Sequence, residues 1–292
     1  MRLLFLMSVF TLLLQAQTIL LVNSNSNVKK YTETIDEFRK NFNKPFKTVD
    51  ISNMSGSEIK KYLYDEYPDI VYAVGAKAYQ YANEYIPEKE IYFSSVVDWK
   101  KLSPSTNRYG VSNELNSGMQ LTLIKSIFSN IKTIGVVHSR YTQNIVDDLS
   151  HEAEQMGIKI TAVKIDESSL KSMEFDDAIK ESDAMLVISD PLFLNDEKAV
   201  VKLFSGSKMY KKPVIAYHKL FIKYGATLVL SADNQTIGRQ ISTMIESNIN
   251  HEPIEKIQYP AGTNIVFNKK AAIMSGVEFS SDISSIATEI LE

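Results

Sequence analysis

The sequence predicts an α/β protein of two doubly wound, parallel-sheet lobes, and three observations predict it. Short apolar, β-rich runs alternate with stretches of helical periodicity along most of the chain. That alternation begins again after a short run at 108–112. The 292 residues also suffice for two domains of ordinary size. Regular alternation of strand and helix implies parallel sheets covered by helices on both faces, so two successive runs imply two such lobes.

The elements follow in order. Residues 18–23 (TILLVN) read as a buried strand, and Tyr31, Ile35, Phe38 and Phe42 then mark one helical face. A second strand is expected at 46–51, followed by a helix carrying Ile59, Tyr62 and Leu63 with Ser57 as its N-cap. Residues 69–74 (DIVYAV) form the third strand, and Gly75 opens a helix with Ala78, Tyr81, Ala82 and Tyr85 on one face. Residues 91–97 give a fourth strand and 108–112 a short connecting one. The second run starts with a helix marked by Leu121, Ile124, Ile127 and Phe128, then a strand at 133–138. Ile145, Leu149, Ala153 and Met156 mark the next helix, which Gly157 ends. Strands at 159–165, 184–189, 213–217 and 227–231 precede a helix over 234–249. In the last segment 264–267 reads as a strand, with helices at 269–274 and 282–290.

The N-terminus reads as a secretory signal. Arg2 precedes an apolar stretch from Leu3 to Leu14, and Gln15-Ala16-Gln17 supplies a small residue for cleavage after Ala16. Twelve helical residues span about 18 Å, short of the roughly 30 Å of a bilayer core. A membrane anchor continued through 18–22 is the alternative, interrupted by Gln15 and Gln17. With no cysteine in the chain, disulfides, thiolate metal sites, a cysteine nucleophile and a lipid-modified cysteine anchor are all excluded. The net charge of −3, which becomes −4 when Arg2 is removed, and the absence of a long basic cluster argue against a nucleic-acid partner.

In parallel α/β sheets, ligands bind beyond the carboxyl ends of strands, where helix N-termini favour anionic groups. In the first half those positions hold Asn23 and Ser24, Gly75-Ala76-Lys77, and Ser95 with Asp98. Small residues at 75–76 let a ligand approach a helix N-terminus, Lys77 adds positive charge, and Asp98 offers a partner for an ammonium. In the second half they hold Ser139, Tyr141 and Asn144, then Asp190 and Tyr217. Asp190, directly after a buried strand, is the strongest acidic candidate for an amine, and the two tyrosines suit an apolar or aromatic group. Each position also admits a structural reading: turn residues at 23–27, a strand–helix turn at 75–77, a cap at Asp98, and packing for Trp99 and the tyrosines.

Enzyme chemistry finds little support. None of the four histidines has a histidine partner at i+4, and Gly-x-Ser-x-Gly, Gly-x-Gly-x-x-Gly and the phosphate loop are absent. Asp147-Asp148 and Asp176-Asp177 point apart on a helix and read as solvated faces. No metal or cofactor is expected.

The chain also resembles the periplasmic substrate-binding proteins of ABC transporters, of the type I class related to tryptophan- and branched-chain amino-acid-binding members. The resemblance runs from about 18 to 280. It is carried by residues 68–78 (PDIVYAVGAKA), 91–98 (IYFSSVVD), 109–112 (YGVS), 134–137 (IGVV), 183–190 (DAMLVISD) and 212–217 (KPVIAY). Residues 224–228 (YGATL) with 233–239 (DNQTIGR) are similar to the family's return crossing. The resemblance implies two lobes joined by a hinge of three crossings, with residues 17–113 plus 233–259 in one and 114–232 plus 260–292 in the other. It further implies a protein that closes on a small ligand and delivers it to a membrane permease; with the signal, a monomer in the periplasm is expected, and helix N-termini for a carboxylate with Asp98 or Asp190 for an amine suggest an amino acid or related carboxylate. A sensor presenting its closed form to a receptor such as a histidine kinase, and an enzyme on the same scaffold, are the alternatives. Trp99 stands where the family often has proline, and Lys77 where it usually has a small or hydroxyl residue, so the resemblance does not carry over a particular ligand.

Overall fold

The computed structural model describes residues 17–96, 106–169 and 175–292. The signal expected at 1–16, and the expectations placed on Val97, Asp98 and Trp99, lie outside the described residues. In chain order the elements are β1 (Ile19–Asn23), α1 (Lys29–Asn41), β2 (Lys47–Asp50), α2 (Gly56–Glu66), β3 (Ile70–Val74), α3 (Ala76–Tyr85), β4 (Glu90–Ser94) and β5 (Arg108–Val111). There follow α4 (Ser117–Ile127), β6 (Thr133–His138), α5 (Gln143–Gln155), β7 (Lys159–Lys164), α6 (Asp176–Glu181), β8 (Ala184–Val187), α7 (Pro191–Leu194) and α8 (Glu197–Met209). The chain ends with β9 (Val214–Ala216), a 3-10 helix (Lys219–Tyr224), β10 (Leu228–Ala232), α9 (Asn234–Ile249), β11 (Ile257–Gln258), β12 (Thr263–Asn268), α10 (Lys269–Ser275), α11 (Ile283–Ile286) and β13 (Glu289–Leu291).

The described residues form two units, one from those within 17–110 with 241–257 and the other from those within 111–240 with 258–292. The first unit holds a sheet of order β11-β5-β4-β3-β1-β2, with β1 through β5 paired in parallel. Alternate strand residues Leu20, Val22, Val71, Ala73, Ile91 and Phe93 face Ile59 and Leu63 of α2 and Ala78 and Ala82 of α3. On the opposite face Tyr72 packs against Phe38 of α1, ring centres 4.8 Å apart.

The second unit holds a sheet of order β13-β12-β10-β9-β8-β6-β7, parallel except for β10 against β12. Here too alternation sorts the core: Ile134, Val136, Leu186 and Leu228 pack under α4 and α5, while Val137, Met185, Val187 and Val229 pack under α6 and α8. Burying a large apolar side chain is worth about 1.5–3 kcal/mol, so doubly covered strands dominate each core.

Several expectations need correction. The N-cap of α2 is Ser55, not Ser57: its hydroxyl accepts from the Glu58 N–H while Glu58 reaches back to the Ser55 N–H, a capping box. The helix expected over 282–290 shrinks to α11, and the chain then joins the sheet as β13. Thr288 secures that pairing, its hydroxyl donating to the Ile265 carbonyl at 2.8 Å and accepting from the Ile265 N–H at 2.9 Å. Among the described residues no helix is long and apolar enough to cross a membrane.

Candidate functional site

Both sheets contain the strand order second-first-third-fourth-fifth, β2-β1-β3-β4-β5 in one and β7-β6-β8-β9-β10 in the other. Chain direction across the sheet reverses between β1 and β3, and between β6 and β8. At such switch points the loops leaving adjacent strands diverge and open a crevice beyond the carboxyl ends.

In the first unit this place is built by Ser24 and Gly75. The Ser24 N–H donates to the Val74 carbonyl at 3.0 Å, and its hydroxyl accepts from the Ala78 N–H at 2.9 Å, capping α3 from a neighbouring strand. Gly75, the N-cap of α3, has φ +89 and donates its N–H to the Ser94 carbonyl at 2.9 Å. A Cβ there would meet Ser24 Oγ and the Tyr31 ring at 2.7 Å, so only glycine fits. The first N–H groups of a helix have no partner within it. Ser24 takes that of Ala78; among the described residues nothing accepts from the N–H groups of Ala76 and Lys77. They remain as paired donors at the positive end of a ten-residue helix.

The surrounding loops are braced from within. Asn23 Oδ1 accepts from the Asn25 N–H, and the Asp50 carboxylate accepts from the N–H groups of Ser26 and Ser52, both at 2.7 Å. Burial pushes the Asp50 carboxyl up, but the donors from Ser26 and Ser52 outweigh it and hold it at about 2. The Lys77 ammonium turns back to the loop after β2, donating to the Ile51 carbonyl at 2.6 Å and more weakly to those of Ser52 and Met54. The charge expected to meet a ligand is thus engaged with backbone. Ser95, immediately after β4, is only 2% exposed, has φ +57, and its hydroxyl lacks any hydrogen-bond partner among the described residues.

In the second unit Asp190 and Ser139 occupy the switch point, both fully buried. Asp190 Oδ2 accepts from the Ser139 N–H and hydroxyl, each at 2.7 Å, and from the Thr142 hydroxyl at 2.5 Å; Oδ1 accepts from the Phe193 N–H at 2.9 Å. Burial pushes this carboxyl up, yet the donors from Thr142, Phe193 and Ser139 prevail and its pKa is lowered. Of the carboxylate's two oxygens, Oδ2 takes three donors and Oδ1 takes one. Asp190 accordingly braces the ends of β6 and β8. The Ser139 hydroxyl, which also accepts from the Tyr141 N–H at 3.2 Å, is committed to the same network.

Solvent reaches the remaining second-unit candidates. Asn144 is exposed on the first turn of α5, and Tyr141 is partly buried, its hydroxyl accepting from Arg140 at 2.9 Å. Tyr217 is partly buried with its ring 5.5 Å from that of Phe221; burial pushes its phenol up, against a hydrogen bond with Ser189. A cavity of about 430 Å³ is lined by Ser139 and Tyr141 together with Lys164, Ile165, Asp166 and Leu192. Sequence reasoning passed over Thr142, Asp50 and Tyr31, which position the candidates and do not replace them. Asp50, the final residue of a strand, was the one with a visible signal.

Residues 27–291 match a family described as ABC transporter substrate binding protein. A tyrosine-binding protein of Clostridioides difficile (strain R20291) is 24% identical over 188 residues, 61% of this chain and 53% of that protein. The chain thus spans about half the length of that relative. Among solved structures, the ligand-free, open form of a substrate-binding protein with adhesive properties from Clostridium difficile has a TM-score of 0.73 at 20% identity, covering 94% of this chain and 99% of that one. An ABC domain in complex with L-tryptophan from Streptococcus pneumoniae has a TM-score of 0.57 at 18% identity, covering 94% and 100%. At these identities the structural likeness bears on fold, and the fold is that of type I periplasmic binding proteins, with two α/β lobes.

Proposed function

Because the chain belongs to the ABC transporter substrate-binding protein family, we propose that it captures a free amino acid outside the cytoplasm and hands it to the permease of an ABC transporter. The observation that carries this reading is the N-terminus of α3, where Gly75 clears the approach and the N–H groups of Ala76 and Lys77 await an acceptor. An α-carboxylate matches two parallel donors at a positive helix end. The tyrosine-binding relative and the tryptophan complex support an amino acid with an aromatic side chain. Tyr141, Asn144 and Tyr217 are proposed as the second unit's contributors, the tyrosines for the side chain and Asn144 for a polar group.

A ligand touching residues of both units binds the closed state best and shifts the population toward it. The ligand leaves unchanged, so no catalytic group is required. On this reading the protein is exported by a signal cleaved after Ala16. Affinity in the micromolar range corresponds to about −8.2 kcal/mol, within reach of a few charge-assisted hydrogen bonds plus an aromatic contact. Thermal-shift and calorimetric screening of the twenty proteinogenic L-amino acids and small carboxylates tests the reading. At 100 times Kd a single-site ligand adds about 2.7 kcal/mol of stability, an easily read shift. A screen in which no compound moves the transition or releases heat overturns it.

A further inference from the structure

We propose that the outer face of α8, with the 3-10 helix after β9, rests on an anionic membrane surface, its lysines meeting lipid phosphates and isolated aliphatic side chains entering the headgroup layer. The sequence concentrates positive charge here. Residues 198–232 hold seven lysines and no acidic residue, in a chain whose net charge is −3. Setting those seven charges aside leaves −10 on the rest, an asymmetry that turns this face toward a negative surface. α8 buries Ala199, Val200, Leu203, Phe204, Gly206 and Ser207 within its own unit. Its opposite face carries Lys198, Val201, Lys202, Ser205, Lys208 and Met209, spaced three and four apart. Lys211 and Lys212 continue the line past the helix end, so lysines run along about 20 Å.

The charges are available. Among the described residues Lys198, Lys208, Lys211 and Lys212 form no ion pair, while Lys219 is paired with Glu289. The acids beside them are engaged within the unit. Asp196 accepts from the Ala199 N–H at 3.0 Å, Glu197 from the Tyr224 hydroxyl and Asp176 from the Tyr210 hydroxyl, both at 3.2 Å. Val201, Met209 and Leu220 are 45%, 62% and 65% exposed, so apolar surface lies among the charges. This composition selects the occupant. Protein interfaces favour aromatic residues and arginine and are depleted in lysine. Here lysines and aliphatic side chains are presented instead. Lysine is a hydrated point charge on a flexible stem, which suits a fluid layer of phosphates where the count of charges matters more than their geometry. Aliphatic side chains entering that layer add buried apolar area. Such contact keeps an exported carrier beside the membrane in which a permease lies, whichever ligand it carries.

The test is co-sedimentation with protein-free vesicles of phosphatidylcholine, alone or mixed equally with phosphatidylglycerol. The chain from Gln17 onward is used, so that the apolar stretch from Leu3 to Leu14 does not itself bind lipid. Wild type should sediment with the anionic vesicles alone and be released as added salt screens the surface charge. A lysine near an anionic surface contributes about a fivefold gain, so replacing Lys198, Lys208 and Lys212 together by Gln should lower the partition coefficient roughly 100-fold. Replacing the exposed Lys29, Lys40 and Lys61 of the first unit by Gln makes the same change in net charge and should lower it less than about threefold. Met209→Ser combined with Leu220→Ser should cost about tenfold. Each variant should unfold at the wild-type temperature, which shows its fold intact. No binding of wild type to anionic vesicles, or equal losses from the two lysine triplets, would overturn the proposal. So would binding to native membranes but not to vesicles of their extracted lipids, which assigns the face to a membrane protein. The amino-acid reading is tested in solution without lipid and is untouched by any of these results.

Discussion

Asp190 Oδ2 lies 2.7 Å from both the backbone nitrogen and the hydroxyl of Ser139, and with Thr142 and Phe193 these donors hold the carboxylate inside a fully buried network. The ends of β6 and β8 are thereby tied at the point where the strand order reverses. Asp190→Ala strands four donors and is expected to cost about 2–4 kcal/mol. For a unit of this size that is a fall of roughly 5–15 °C in Tm. Asp190→Asn should also destabilise, because one face of the amide presents N–H groups to N–H and O–H donors. Chemical denaturation of the two variants checks this. Wild-type stability in Asp190→Asn would show that the carboxylate is not the brace.

Acid sensitivity should trace to the same class of carboxylate. Asp50 is held at about 2 against an ordinary value of 3.8, and Asp69 is lowered by the Thr18 N–H and hydroxyl. A group whose pKa is depressed on folding contributes stability that is full above its unfolded pKa and is lost as pH falls through the folded one. Stability is therefore expected to hold from neutral pH to about 4 and to decline between about 4 and 2. Unfolding midpoints across that window, for wild type and Asp50→Asn, decide it. The variant should start lower and lose less on acidification.

Much of this architecture was legible because burial leaves a local imprint. The face Ile35, Phe38 and Phe42 and the run 70–74 are repetitive patterns, and α9 was readable at both ends from Ile237, Ile241, Met244 and Ile245. The capping box at Ser55 and Glu58 was equally local, but the nearer Ser57 drew the assignment. What could not be read depends on distant partners. Residues 289–291 become a strand only because β12 is beside them. Asp190 and Lys77 stood at the right strand ends for ligand chemistry. Their actual partners, Ser139 at a separation of 51 residues and Ile51 at 26, leave no trace in local spacing. The orphaned hydroxyl of Ser95 is likewise a property of packing alone.

Lys77 separates a ligand charge from a structural one. Its ammonium donates to the Ile51 carbonyl at 2.6 Å, so Lys77→Met should loosen the loop after β2. The expected cost is about 1 kcal/mol, typical of a partly exposed hydrogen bond. Amino-acid affinity should fall less than about tenfold, since the two N–H donors of α3 belong to the backbone and persist. Calorimetry on the variant is the measurement. A loss beyond about a hundredfold would mean that the ammonium itself meets the carboxylate, at the strength of a charged hydrogen bond or more.

Gly75 and Gly225 offer a controlled comparison of two reasons for glycine. Both have positive φ, +89 and +102, so alanine is strained at either place. At Gly225 a Cβ would find nothing within 4 Å, leaving the backbone term alone, about 1–2 kcal/mol. At Gly75 the same Cβ would meet Ser24 Oγ and the Tyr31 ring at 2.7 Å, adding an overpacking cost of about 1–3 kcal/mol. Gly75→Ala should therefore destabilise more than Gly225→Ala. It should also weaken ligand binding, because Ser24 must shift and the cap on the Ala78 N–H shifts with it. Replacing Tyr31 by alanine in the Gly75→Ala background removes one of the two clashes. Part of the excess cost should then disappear, a coupling that a double-mutant cycle reads directly. Strict additivity of the two substitutions would show that the ring is not what excludes a side chain at 75.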